Sequence, residues 1–207
     1  MIVDPAILWL FVPAALALNL TPGADMMFCL GQGLRAGPWA ALAADAGIAA
    51  GCLLHVAAAG LGLGALVAAA PWAFEAIRWA GVLYLLWLAA RMLRGGTAGA
   101  GTGAPLTPVR ALLQGLAVNL LNPKVILFVL AFLPQFVDPA APILPQFLIL
   151  GGVIALGGLV VNGAVGVMAA GLGARLAGGG AVQVWLGRAV AAIFAGLALR
   201  LALMQRG

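Results

Sequence analysis

Charge is what this sequence has least of. Only 7% of its 207 residues are Asp, Glu, Lys or Arg, against roughly 25% in a soluble domain. Serine is absent, lysine and histidine occur once each (Lys124, His55), and cysteine occurs twice (Cys29, Cys52). Each shortage excludes something. Without serine, and with one His and two Cys, the chain lacks the nucleophile–base pairs or paired metal ligands of intramembrane hydrolases, so it is not expected to be an enzyme. Cys52 and His55, at i and i+3, share a helix face, but no third group joins them. No Cys, His and Asp cluster stands at ligand spacing, so no metal site or cofactor is expected, and a metal-cation carrier is disfavoured. The net charge of +5 comes from basic residues scattered singly, with no basic run or interleaved aromatics, and no nucleic-acid partner follows. The glycines between 99 and 103 have no strand before them and no Lys after, and so make no phosphate loop. Both cysteines lie in apolar segments and read as small hydrophobes rather than disulfide partners.

What is present is apolar surface. The chain is 65% hydrophobic with a mean hydropathy of +1.18, which makes it a polytopic membrane protein. At about 20 residues per spanning helix, the length allows six spans joined by short loops. The N-terminal stretch from Met1 to Pro5 lacks a basic n-region, so the first apolar run is expected to stay as a span. The spans are expected at about 5–30, 39–69, 72–93, 108–136, 143–172 and 182–203. Residues 35–38 form the first loop, and a Gly/Ala/Thr/Pro-rich linker occupies 95–108. Thr107-Pro108 is a good cap and first-turn pair for the fourth span. In the third span Glu75 and Arg78 can pair or reach the interface, and Trp72 and Trp79 fit an aromatic belt. Ala43, Gly47, Gly51 and His55 repeat at i, i+4 and give the second span a nearly flat face, which lets helix backbones approach closely.

The polar exceptions concentrate at two places. Asn19-Leu20-Thr21-Pro22-Gly23-Ala24-Asp25 and Asn119-Leu120-Leu121-Asn122-Pro123-Lys124 each put a helix-breaking proline and a charge inside a long apolar run. At the bilayer centre a Lys or Asp costs about 3 kcal/mol on insertion scales, so such residues point to a functional site. A duplicated break with an acid in one half and a base in the other suggests a transporter site built from two repeats. Three spans per half is an odd number, so a duplicated half must enter the membrane the opposite way. The expected fold is therefore an all-α integral membrane protein of six transmembrane helices. It forms one domain over 1–207, as two inverted three-helix repeats (1–94 and 109–207, around the linker at 95–108), with spans 1 and 4 broken. A weaker echo sets His55 four residues after Gly51 and Asn162 four after Gly158. Counting Lys and Arg near loops puts the N- and C-termini outside, with Arg35, Arg91, Arg94, Arg110, Arg175 and Arg188 on the cytoplasmic side.

Several motifs resemble those of the lysine exporter (LysE/RhtB) family. They are Pro22-Gly23-Ala24-Asp25, Gly47-Ile48-Ala49-Ala50-Gly51 with His55, Gly81-Val82-Leu83-Tyr84-Leu85-Leu86, and Gln114-Gly115-Leu116 through Asn119–Lys124 to Phe132-Leu133-Pro134-Gln135-Phe136-Val137. The resemblance covers essentially the whole chain. It implies a bacterial inner-membrane exporter, driven by the proton gradient, of amino acids or related metabolites such as threonine, homoserine, homoserine lactone or basic amino acids. Two residues depart from the family pattern. Ala24 stands where the first motif usually has a second Pro, and Asp45 stands where a small residue is expected.

An amino acid carries an ammonium and a carboxylate, so its site needs an acceptor and a donor of opposite charge. Asp25 can bind the ammonium or carry the proton, and Lys124 can bind the carboxylate. Half-helices starting after Pro22-Gly23 and Pro123 would offer free N–H groups to an anion. Carbonyls around Asn19 and Asn119 would take a cation, and Asn19, Asn119 and Asn122 would complete the neutral hydrogen bonds. The alternative for Asp25 and Lys124 is a single buried ion pair pinning the halves together, worth roughly 4 kcal/mol at 4 Å before desolvation. His55 is either a satisfied interior histidine or a proton relay. Asp45 is either a solvated acid near the start of its helix or part of the site. About 80° of helix and 15 Å separate it from His55, so those two are no contact pair. The expected partners are a small zwitterionic or cationic amino-acid-like solute and membrane lipid, with a homo-oligomer left open. The rival readings are a metal-cation exporter of a related branch and a non-transporting scaffold.

Overall fold

The structure, a computed structural model, describes residues 2–69 and 106–172 together with the isolated positions 72, 76, 79, 82, 83, 86, 87, 90 and 199. All of the sixth expected span but residue 199, most of the third with its Glu75–Arg78 pair, and the linker at 95–105 lie outside the described residues. Among the described residues there are six α-helices and no strand: α1 (Pro5–Leu20), α2 (Ala24–Ala36), α3 (Pro38–Ala69), α4 (Pro108–Leu120), α5 (Pro123–Leu127) and α6 (Ile143–Leu172). Beyond α5 the chain widens into a π turn (Phe128–Phe132) and tightens into a 3-10 turn ending at Phe136. α3 and α6 are each long and apolar enough to cross a bilayer alone. The pairs α1–α2 and α4 with 123–136 qualify as single broken spans, bent by 53° and 49°.

Both breaks have the same local cause. A residue ahead of proline is driven out of the helical conformation. Thr21 accordingly turns extended (φ −71°, ψ 117°), while its hydroxyl donates to the Ala17 carbonyl at 2.6 Å and closes the last turn of α1. Asn122, ahead of Pro123, does likewise (φ −80°, ψ 105°), and its Oδ1 accepts from the Lys124 N–H at 3.0 Å, capping α5. The caps read from sequence behave similarly. Asp4 Oδ1 accepts from the Ala6 N–H at 2.8 Å, and Thr107 Oγ1 accepts from the Arg110 N–H at 3.4 Å. The loop expected over 35–38 narrows to Gly37, whose φ of 84° makes it the one residue with positive φ among those described. A side chain would be strained there.

Small residues set how closely the helices approach. A Cβ placed on Gly47 would strike the Leu112 carbonyl of α4, and one on Gly115 would strike the Ala44 carbonyl of α3, so the two helices lock reciprocally. Gly33 of α2 meets the Gly166 carbonyl of α6 in the same way. Two apolar clusters flank these crossings. In the larger, Phe11 meets Phe136 edge-on at 5.0 Å, and Phe128, Phe132 and Phe136 follow one another at 4.8 and 5.1 Å, with Phe147 and Leu150 behind. The smaller gathers Cys29, Ala40, Ala44, Ile48 and Ala111. Large apolar side chains such as Trp9, Trp39, Leu61 and Leu156 turn outward, as in a protein solvated by lipid tails. Cys29 and Cys52 are free and buried.

Gly115→Ala forces a methyl group against unyielding backbone and is expected to destabilise the protein by about 1–3 kcal/mol. Gly62→Ala, with nothing within 4 Å of the added atom, is expected to be neutral or to stabilise by up to about 1 kcal/mol. Equilibrium unfolding in mixed micelles checks both.

Candidate functional site

The two breaks meet across the bundle. Lys124, on the first turn of α5, reaches over to the broken end of α1. Its ammonium donates to the Leu18 and Thr21 carbonyls, each at 3.1 Å. Helix ends leave carbonyls without intrahelical partners, so the break itself makes the acceptors that solvate this charge. Gly23 supplies the room: a Cβ there would lie 3.1 Å from the Lys124 Nζ. Asp25, in the first turn of α2, is served from the opposite half. The Asn119 amide donates to its Oδ2 at 3.0 Å, and its Oδ1 has no partner.

Asp25 and Lys124 form no ion pair, so the single pinning pair is not what this conformation contains. Each charge is held by neutral groups of the other half. Two further expectations change with this. The carbonyls at the end of α1 are taken by Lys124 itself, which does not lie free to face a carboxylate with all three of its donors. At α5 the N-terminal N–H groups are engaged by Asn122, because Lys124 N–H donates to its side chain, and Val125 and Ile126 N–H donate to its carbonyl at 3.1 Å. That start therefore offers no open anion site.

The asparagines at the breaks sit in glycine grooves. Asn19 donates from Nδ2 to the Ile154 carbonyl at 3.0 Å, and its side chain packs where a Cβ on Gly157 of α6 would stand. Asn119 occupies the matching position against Gly51 of α3. The Asn119 carbonyl accepts from Asn122 N–H at 2.9 Å and lies 3.3 Å from His55 Nε2. A carbonyl can only accept, so this contact puts the imidazole proton on Nε2.

Asn19, Asp25, Asp45, Asn119, Lys124 and Asn162 line one cavity, floored by apolar side chains from both clusters. The space left to the centre of a water molecule is about 20 Å³, room for one or two waters and far too little for an amino acid. Asp45 is 1% exposed, which overturns the solvated-acid alternative; seven residues into α3, the helix is already covered by α4 and α6. Neither of its oxygens is in a hydrogen bond of full geometry, although the Asn162 amide and the Gly163 N–H stand close enough to interact with the carboxylate. His55 lies behind Asn119, while Pro22, Gly23, Asn122 and Pro123 shape the breaks without lining the cavity. Among the described residues no group of three His, Cys, Asp or Glu side chains stands together as a metal site.

Asn162 and Gln146 are among the buried polar residues that escaped the sequence reading of the site. Asn162 faces the cavity beside Asp45, and its one signal was the Gly158-to-Asn162 echo of Gly51-to-His55. Gln146 folds back on the loop before α6. It donates to the Asp138 carbonyl at 2.9 Å and the Pro142 carbonyl at 3.1 Å, and accepts from the Asp138 N–H at 2.8 Å. A lone Gln in an apolar run gives no hint of that role.

The sequence profile of the LysE type translocator family matches residues 16–205. An uncharacterized membrane protein of Vibrio cholerae serotype O1 is 36% identical over 146 residues, covering 69% of this chain and 71% of the relative. A homoserine/homoserine lactone efflux protein of Salmonella typhimurium is 38% identical over 138 residues, covering 65% and 66%. A leucine efflux protein of Enterobacter sp. (strain 638) is 35% identical over 138 residues, covering 64% of each chain. The chain thus aligns with about two thirds of the length of each of these relatives. No solved structure gives a significant match.

Asn119→Ala leaves both Asp25 oxygens buried without a partner. Losing a hydrogen bond to a charged group costs about 1.5–3 kcal/mol, and unfolding in mixed micelles should register a loss of about that size. Asn119→Asp should be worse still, because it sets a second carboxylate against the first.

Proposed function

The chain belongs to the LysE type translocator family, and on that premise we propose that it is a secondary transporter exporting amino acids or closely related metabolites across the bacterial inner membrane, driven by the proton gradient. The observation that carries this reading is the meeting of the two broken spans at one polar cavity, with Asp25 from one half and Lys124 from the other. An acceptor and a donor of opposite charge, embedded among neutral amides, is what a zwitterion requires. The efflux proteins named above are named for homoserine, homoserine lactone and leucine, small solutes that carry the ammonium an acid such as Asp25 can bind once the cavity opens.

In this reading the whole of 1–207 is one transporter domain of six spans, and residues 1–94 and 109–207 are inverted repeats. The similar bends support it, as does the reciprocal seating of Asn19 against α6 and Asn119 against α3. Both termini face outward, the orientation that the Lys and Arg distribution favours. The cavity is far too small for the solute as it stands, so transport requires opening. Releasing Lys124 from the Leu18 and Thr21 carbonyls frees the α1–α2 hinge, and alternating access follows from pivoting one half against the other. Asp25 binds the solute ammonium, and the remaining Lys124 N–H donor binds its carboxylate.

Asp25→Asn and Lys124→Gln are each expected to lower counterflow of a labelled amino acid by about thirtyfold or more, since loss of one member of a desolvated charged contact costs about 2 kcal/mol upward. Each protein should still insert and purify. The double variant is expected to stay inactive. If the double variant recovers transport in proteoliposomes, the two residues serve only to balance charge, and the site assignment is wrong.

A further inference from the structure

The cavity holds one acid more than a neutral amino acid needs. Its charged side chains are Asp25, Asp45 and Lys124, two carboxylates against one ammonium. Lys124 already spends two of its three donors on the Leu18 and Thr21 carbonyls. Asp25 gives one oxygen to Asn119 and keeps the other free. Asp45 has no counter-charge: it is buried on α3, and neither oxygen is in a hydrogen bond of full geometry. Across from it α6 presents the Asn162 amide and the bare backbone of Gly163, where a Cβ would lie 2.9 Å from Asp45 Oδ2. His55, farther along α3, faces the Asn119 carbonyl instead. No cationic side chain lining the cavity besides Lys124 is available to neutralise Asp45.

We propose that Asp45 determines specificity, forming with Asn162 a second anionic subsite that holds the side-chain cation of a basic amino acid while Asp25 holds its α-ammonium. This rests on the exporter reading above and narrows it to a substrate class. A basic amino acid brings two positive groups and one negative, and the cavity answers with two negative and one positive. Every charge is then paired inside a low-dielectric site. A neutral amino acid satisfies Asp25 and Lys124 and leaves Asp45 desolvated without a counter-charge, which disfavours it. The subsite therefore both attracts the cationic solute and rejects the neutral one. Gly163 belongs to the design because any side chain there would displace the carboxylate.

Counterflow in proteoliposomes tests this with labelled lysine and arginine against leucine and homoserine. The wild-type protein is expected to exchange lysine and arginine in preference to leucine and homoserine. Asp45→Asn should lower the lysine-to-leucine ratio by about tenfold or more, the effect of removing one charged hydrogen bond to the solute. Gly163→Ala, which keeps the acid but pushes on it, should raise the KM for lysine and leave that for leucine where it was; it decides the matter if Asp45→Asn does not fold. A wild type that exchanges leucine or homoserine but neither basic amino acid, or variants that keep the wild-type ratio, would overturn the subsite and leave the exporter reading standing. A correctly inserted wild type that exchanges none of the four removes both.

Discussion

A lysine ammonium 6% exposed inside an apolar bundle has to be solvated by something, and here the solvent is the frayed end of a helix. An intact helix has no carbonyls to spare. By stopping α1 at Leu20 and turning Thr21 extended, the Thr21-Pro22 step releases the Leu18 and Thr21 oxygens, and Lys124 takes both. The break and the charge are thus one feature. Remove the proline and the carbonyls close on themselves; remove the lysine and two carbonyls are left bare in a low-dielectric interior, where an unmet polar group costs several kcal/mol.

The rest of the architecture serves that exchange between halves. Lys124 from the second break is held by carbonyls at the first, and Asp25 after the first break is held at one oxygen by Asn119 before the second. For such short side chains to reach, the helices carrying them must nearly touch. Glycines at 33, 47 and 115 make that possible by letting backbone carbonyls lie where a Cβ would otherwise stand, and Gly166 does so by admitting the Ala41 side chain. Because neutral groups rather than an ion pair hold each charge, either can be released without stranding the other, a property useful in a site that must open and close.

The breaks were legible from sequence because proline acts on its own neighbour: the Asn-x-x-Pro and Asn-Pro-Lys stretches locate both bends and α4 to Phe136 to within a residue or two. α3 and α6 were legible for the same kind of reason, since length and unbroken apolarity suffice. The partners were harder to read. Carbonyls carry no side-chain signature, so nothing in the sequence said that Lys124 would bond to Leu18 and Thr21 rather than to Asp25. Asp45 sat between two readings because a helical wheel gives its angle but not which neighbour covers that face. Gln146 was invisible, and Asn162 showed only as an echo of His55, for a related reason: a single amide in an apolar helix declares its role only when its tertiary partner is known.

The central claim is that solute binds between the two breaks. Photo-crosslinking with a diazirine-bearing amino acid, followed by peptide mapping, tests it most directly. Label that unlabelled substrate can compete away is predicted on the cavity-lining segments around Leu18–Asp25, Ile48–Cys52, Asn119–Val125 and Ile154–Asn162. Competable label confined to any other part of the chain would contradict the account.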